Sequence, residues 1–221
     1  MKQISKVTRK KGNPHIVETI KLMNDEFNRY IGYMMKTKYH DIPWWYNERA
    51  LLGFFAAGLA RHKDALVFQE FTCSKGKASK KEKSHGRADL LFRYKEHNYI
   101  AEAKLYFSPI DTKTDYKDAV SWAAEVFQQA QSYHKKDFPF KADYILSLCF
   151  EVIYCHENKI EEMQELLKGW RDTTWVKPAS FYCALIELDL NNKEIKYDWQ
   201  ADNGATYYYP ALAVYGKIKK I

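Results

Sequence analysis

The stretch Gly86-Arg87-Ala88-Asp89-Leu90-Leu91-Phe92-Arg93-Tyr94, then Lys95-Glu96-His97-Asn98, then Tyr99-Ile100-Ala101-Glu102-Ala103-Lys104-Leu105-Tyr106, decides the reading of this chain. Two apolar, aromatic runs flank four polar residues, the pattern of a β-hairpin. With residues 95–98 as the loop, Tyr94 pairs with Tyr99, Leu91 faces Glu102 and Asp89 faces Lys104. Side chains alternate along a strand, so Glu102 and Lys104 share a face and Asp89 joins them from the neighbouring strand. Diagonal neighbours in such a pair lie about 7–8 Å apart. Two carboxylates and one ammonium therefore converge inside strands otherwise built of Leu, Phe, Ile and Ala. That arrangement is costly to bury unless something uses it.

Working outward, residues before Asp41 read as a basic arm (Lys2, Lys6, Arg9, Lys10, Lys11) and then a helix whose apolar side is Ile16, Ile20, Met23, Phe27 and Ile31. Pro43-Trp44-Trp45-Tyr46 follows, and Asn47 is a good N-cap for a helix through Leu59. Val67 to Cys73 reads as a strand, and residues 74–86 as a Lys-, Ser- and Gly-rich loop. After the hairpin come a helix from about Tyr116 to Lys135, a continuous apolar run from Tyr144 to Tyr154 typical of a central buried strand, and a helix over Glu157 to Trp170. Phe181 to Leu190 and Glu194 to Trp199, turning at Asn191-Asn192, read as a second hairpin. Tyr207 to Lys217 adds a strand whose Pro210 belongs at an edge or a bulge. The order is helix, three strands, helix, strand, helix, with β additions: one α/β domain around a mixed sheet.

The 221 residues suffice for one sizeable core, and a hydrophobic fraction of 46% argues for a folded chain rather than a disordered one. The formal net charge of +7 favours a polyanionic partner such as nucleic acid. Cys73, Cys149, Cys155 and Cys183 form no CxxC pair, so they read as reduced core thiols rather than a zinc site. No signal peptide is apparent, and the longest apolar stretch, Ala50 to Ala60, is too short to span a bilayer. These features lead to the expectation of a soluble, cytoplasmic protein without membrane contact.

Phosphodiester hydrolysis uses a divalent cation to polarise the phosphate and lower the pKa of attacking water. Magnesium prefers carboxylate oxygens, and a nearby lysine can orient the water or stabilise developing charge. Asp89, Glu102 and Lys104 supply that set. Asp89 followed by Glu102-Ala103-Lys104, within a helix–strand–strand–strand–helix–strand order, resembles the PD-(D/E)xK nuclease superfamily, which includes restriction endonucleases and RecB-like exonucleases. The likeness covers a core of about 47–154, leaving an N-terminal helical extension, 1–46, and a helix and β-hairpin extension, 155–221. It implies a restriction-endonuclease-like mixed β-sheet flanked by helices. It also implies magnesium, with manganese able to substitute, held by Asp89, Glu102 and the backbone of Ala103, with Lys104 catalytic. Ala88 stands where the family's name has proline.

Glu48 shares a helical stripe with Leu51, Leu52, Phe55 and Leu59 and should point inward. Many members of the superfamily carry a glutamate there that completes the metal site; the plainer reading is an acid placed well in a first helical turn. Gln129 and Tyr133, one turn apart, resemble the QxxxY motif of RecB-like nucleases, although both would also suit a solvated helix face. Glu70 on the first strand is another carboxylate that could lie near the metal, or simply on the polar side of an edge or half-buried strand. Lys75, Lys77, Lys80, Lys81, Lys83 and Arg87 form a basic segment suited to phosphates without sequence preference, or simply a solvated loop. His85 lies beside it. Trp44-Trp45 and Tyr207-Tyr208-Tyr209 could stack on bases, but such clusters more often serve a core.

The expectation is a magnesium-dependent deoxyribonuclease, a stand-alone endonuclease of restriction, phage or defence type. A homodimer would suit cutting of both strands. The alternatives are a RecB-like end-processing exonuclease, a DNA-binding module that grips without cutting, and an interaction protein whose Asp89, Glu102 and Lys104 are a structural salt bridge.

Overall fold

The computed structural model describes residues 5–37, 41–75, 84–111, 116–133, 138, 140–172, 181–190 and 198–221. In chain order the elements are β1 (Ser5–Lys11), α1 (Pro14–Lys36), α2 (Glu48–Ala60), β2 (Leu66–Lys75), β3 (Ser84–Tyr94), β4 (His97–Pro109), α3 (Tyr116–Gln131), β5 (Tyr144–His156), α4 (Met163–Asp172), β6 (Phe181–Leu188), β7 (Asp198–Gln200) and β8 (Thr206–Lys220). One mixed sheet runs in the order β1-β6-β8-β5-β4-β3-β2, and β7 adds to β8. β4 and β5 are parallel, joined through α3; every other pair is antiparallel. The expected α/β architecture and the order α2-β2-β3-β4-α3-β5 are therefore both present.

Helices cover both faces. Ile16, Ile20, Met23, Phe27 and Ile31 of α1, with Leu51, Phe55 and Leu59 of α2, pack on Leu90, Phe92, Ala101, Ala103, Leu148 and Leu212. Ala123 and Val126 of α3 and Met163 and Leu167 of α4 cover Cys149, Ile153, Ala213 and Tyr215 on the opposite face. The caps follow the sequence: the Asn13 side chain accepts from the His15 and Ile16 amides, and the Asn47 side chain from the Ala50 amide. All four cysteines are buried.

The hairpin register differs from the expected one by two residues. Tyr94 pairs with His97, Leu91 with Ile100 and Leu90 with Ala101. The turn is the tight pair Lys95-Glu96, both at positive φ (46° and 67°), as a two-residue hairpin turn requires. Such turns favour Asn-Gly, so Lys-Glu carried no local signal; the Lys95 ammonium instead pairs with Glu18 of α1 at 2.5 Å. A shift of two leaves the facing of the paired residues, Leu90 to Tyr94 and His97 to Ala101, unchanged.

Two further expectations are corrected, and an alternative left open for Pro210 is decided. The basic arm is not an approach to a helix: Ser5–Lys11 forms edge strand β1 on β6. Edge strands commonly carry lysine, which masks their pattern. The second hairpin is built differently: β7 pairs with β8, with Trp199 opposite Tyr207, rather than with β6. Residues 191–197 lie outside the described residues. Finally, β8 is an interior strand. Pro210 sits in a register shift against Ile153 and Cys155, between the part of β8 paired to β7 and the part paired to β6. The bulge supplies what a proline in a central strand needs.

Gly216 permits a close approach across β8. A Cβ there would meet the Tyr182 hydroxyl at 2.8 Å and the Ser147 carbonyl carbon at 2.9 Å. The fully buried Tyr182 crosses this gap and donates its hydroxyl to the Ser147 carbonyl. Gly216→Ala should therefore lower unfolding free energy by about 1–3 kcal/mol in urea titrations. A loss smaller than about 0.5 kcal/mol, the range of neutral surface changes, would contradict the packing.

Candidate active site

β4 is bonded to β5 from Tyr99 through Pro109, but to β3 only from His97 through Ala101. Beyond Leu90 the two strands part and open a wedge beside residues 102–105. Buried backbone amides need acceptors, and two carboxylates supply them. The Ala103 amide donates to Asp89 Oδ2 at 2.7 Å, and the Leu105 amide donates to Glu48 Oε2 at 3.1 Å. Asp89 thus arrives from β3 and Glu48 from the first turn of α2, on successive inward-facing amides of one strand. In an extended strand the N–H and C=O of a bonded residue point to the same side. The Ala103 carbonyl accordingly faces the wedge too.

The parting has a local cause in β2 and β3. Ala88 and Leu91, three residues apart, belong to the same core layer as Phe71, while Leu90 packs on the other face. Phe68 and Phe71, also three apart, are ring neighbours at 6.4 Å. Alternation is broken in both strands at Glu70 and Asp89. Glu70 adopts φ 54°, a left-handed conformation rare for an L side chain. Its carboxylate is held by Arg49 Nε and Arg87 Nη1, each at 3.3 Å.

Glu102 is only 4% exposed on the α3 side of β4. The buried Tyr133, just beyond the end of α3, donates its hydroxyl to Glu102 Oε2 and lies 2.8 Å from the Arg87 carbonyl. A charge this buried requires such a partner. Lys104 follows two residues later on the same strand and is half-buried.

The groups act on one another electrostatically. Burial raises the Glu48 carboxyl above its usual range. The Lys104 ammonium and the Leu105 amide oppose that rise, and the charges of Asp89 and Glu70 add to it. Four side chains, Glu48 of α2, Glu70 of β2, Asp89 of β3 and Lys104 of β4, therefore make up one polar region in an apolar sheet, and Glu102 pairs with Tyr133 on the α3 side of β4.

Of the residues singled out from sequence, Asp89 and Glu48 meet β4 at the Ala103 and Leu105 amides, Lys104 lies between those positions on the strand, and Glu102 takes Tyr133 on the α3 side. Gln129 does not join them by any hydrogen bond of its side chain among those described; its carbonyl accepts from the Ser132 amide and hydroxyl. Arg87 meets Glu70 rather than standing alone. Lys77, Lys80, Lys81 and Lys83 lie outside the described residues, as do the side chains of Lys75 and His85. Trp44 is core, its indole donating to the Tyr209 carbonyl at 3.1 Å. Sequence reasoning missed Arg49, which follows Glu48 on an exposed helix turn and carries no periodic signal. It also passed over Glu151, which is fully buried within the apolar run of β5 and accepts the Ser108 hydroxyl at 2.5 Å.

The donors facing the wedge are carboxylate and carbonyl oxygens, the hard set that suits magnesium or manganese rather than zinc. Among the described residues, no group of three or more His, Cys, Asp or Glu side chains is placed to hold a metal ion. Magnesium does not ask for one: it usually binds through one or two carboxylates and keeps waters. Asp89 Oδ2 and Glu48 Oε2 each accept a strand amide, and both carboxylates are of the oxygen type that such an ion takes. The residues fit such an ion.

No family model, curated protein or solved structure matches the chain. No described helix is long and apolar enough to cross a membrane.

The raised Glu48 carboxyl has a sign that can be checked. Above its ordinary value of 4.5, the folded chain holds this proton more firmly than the unfolded chain. Stability therefore falls as pH rises through that window. Glu48→Gln removes the penalty while keeping an acceptor for the Leu105 amide. In urea unfolding from about pH 4 to about pH 8, the variant should gain on the parent as pH rises and then level off. A gap independent of pH would show that Glu48 is not desolvated.

Proposed function

We propose that this protein is a divalent-metal-dependent deoxyribonuclease on a restriction-endonuclease-like core, as the PD-(D/E)xK resemblance implies. The carrying observation is the wedge in β4, where Asp89 and Glu48 cap the Ala103 and Leu105 amides beside Glu102 and Lys104. The strand order β5-β4-β3-β2, with β4 and β5 parallel through α3, supports the same reading. Ala88, in the place of the family's proline, is fully buried where alternation breaks.

Asp89, Glu102, Glu48 and the Ala103 carbonyl would hold the cation. When bound, magnesium polarises a phosphate and eases ionisation of water. The chain's own residues do the rest. Tyr133 fixes one Glu102 oxygen and so orients the carboxylate. The Ala103 and Leu105 amides do the same for Asp89 and Glu48. Lys104 places a positive charge where negative charge develops on the phosphate oxygens, in a half-buried setting where that charge counts for more than in water.

A second reading, a RecB-like end-processing enzyme, draws support from the bond between Tyr133 and Glu102. It receives none from Gln129. A homodimer would bring two such wedges to the two strands of a duplex.

Supercoiled and linear DNA incubated with magnesium, and separately with chelator, tests the proposal. The parent should cut only with metal, and Asp89→Asn and Lys104→Ala should each lose at least about 100-fold in rate while melting as cooperatively as the parent. Nicking of closed circles selects the endonuclease, and loss from linear ends alone selects the exonuclease. Cutting by both variants at the parental rate would remove the assignment. DNA binding by the parent without cutting would leave the binding module.

A further inference from the structure

Arg49 and Arg87 are near neighbours in sequence of two residues of the wedge, Glu48 and Asp89. Arg49 directly follows Glu48 at the start of α2, and Arg87 precedes Asp89 by two residues on β3. Both guanidinium groups converge on Glu70, one on each carboxylate oxygen, at 3.3 Å. Their side chains are 78% and 65% exposed. The backbone of Arg87 is tied inward, since the Tyr133 hydroxyl that holds Glu102 also reaches the Arg87 carbonyl.

Stability does not account for this arrangement. Ion pairs so exposed contribute little to folding, and the residue that makes them, Glu70, has a left-handed backbone conformation where alternation breaks in β2. Strain of that kind gathers at functional sites. Two guanidinium charges also face one carboxylate, so the trio is positive. Each guanidinium has five N–H donors and a planar fork suited to phosphate oxygens. The bonds to Glu70 occupy Nε of Arg49 and one terminal nitrogen of Arg87, leaving further donors on both directed to solvent.

We propose that Arg49 and Arg87 form a clamp for a DNA backbone phosphate at the mouth of the wedge, pre-oriented by Glu70. The clamp rests on the nuclease reading of the wedge and gives that site its grip on substrate. Glu70 serves as an orienting counter-ion rather than a metal ligand. The phosphate it admits neighbours the one presented to Asp89, Glu48 and Lys104, so the clamp positions the strand without reading bases.

The test is binding of a short labelled DNA duplex in chelator, followed by fluorescence anisotropy over a salt series. Arg49→Ala and Arg87→Ala should each weaken binding about fivefold or more and reduce the slope of log K against log salt by about 0.9. Arg49→Lys, which keeps the charge, should restore the slope. Lys36→Ala, removing an exposed cation at the end of α1, should leave it unchanged. Slopes in both arginine-to-alanine variants equal to the parent's would overturn the clamp, as would absence of binding by the parent. The two proposals separate cleanly. Magnesium-dependent cutting by the parent together with unchanged slopes removes only the clamp. Reduced slopes without any cutting support the clamp and remove the nuclease.

Discussion

The organising constraint of this molecule is the parting of β3 from β4. β4 keeps its parallel partner β5 along its full length but loses β3 after the pair Leu90 and Ala101. An interior strand with one side open has amides that must find acceptors. Continued pairing would have satisfied them with carbonyls and left no room for chemistry. Here Asp89 and Glu48 take that role, so the same bonds that complete the sheet also fix two carboxylates beside Glu102 and Lys104. A carboxylate accepting from a backbone amide makes a charge-assisted bond, stronger than the neutral pairing it replaces.

Assembly of the region draws on further features around that parting. The irregular backbone at Glu70 lets β2 follow β3 as alternation reverses. The crossover between parallel β4 and β5 must carry a long connection, and α3 provides it. That connection brings Tyr133 under Glu102, deep enough that an unpaired carboxylate would be untenable. The small side chains of Ala101 and Ala103, both fully buried, let α2 approach closely enough for Glu48 to reach the Leu105 amide. Desolvation then acts on Glu48 from one direction and the Lys104 charge from the other.

The C-terminal strands broaden this platform rather than forming a separate layer. β8 lies between β5 and β6, and Tyr182 locks it through Gly216 to the carbonyl of Ser147. Ser147 neighbours Glu102 in the parallel register. Packing in the extension is therefore continuous with the strand that carries the candidate site. The two sheet edges differ in character: β1 carries Lys6, Arg9, Lys10 and Lys11, whereas β2 exposes Leu66 and Phe68.

Much of this was legible in the residues alone. Periodicity of 3.6 located α1, α2 and α3, and the unbroken apolar run of β5 marked a strand buried on both faces. Alternation along Glu102, Ala103 and Lys104 placed the charged pair on one side of its strand, and the stripe through Leu51, Phe55 and Leu59 turned Glu48 inward. The hairpin turn, the edge strand β1, the interior position of β8, the Arg49–Glu70–Arg87 trio and the meeting of Tyr133 with Glu102 were not legible. Each depends on contacts between residues far apart in the chain, or on backbone conformations such as those of Lys95, Glu96 and Glu70 that their side chains do not advertise. Side-chain pattern reports which face is buried because burial is a property of each residue and its near neighbours. Which strand ends where, and which carboxylate inherits an orphaned amide, is a property of the assembled sheet, and only folding decides it.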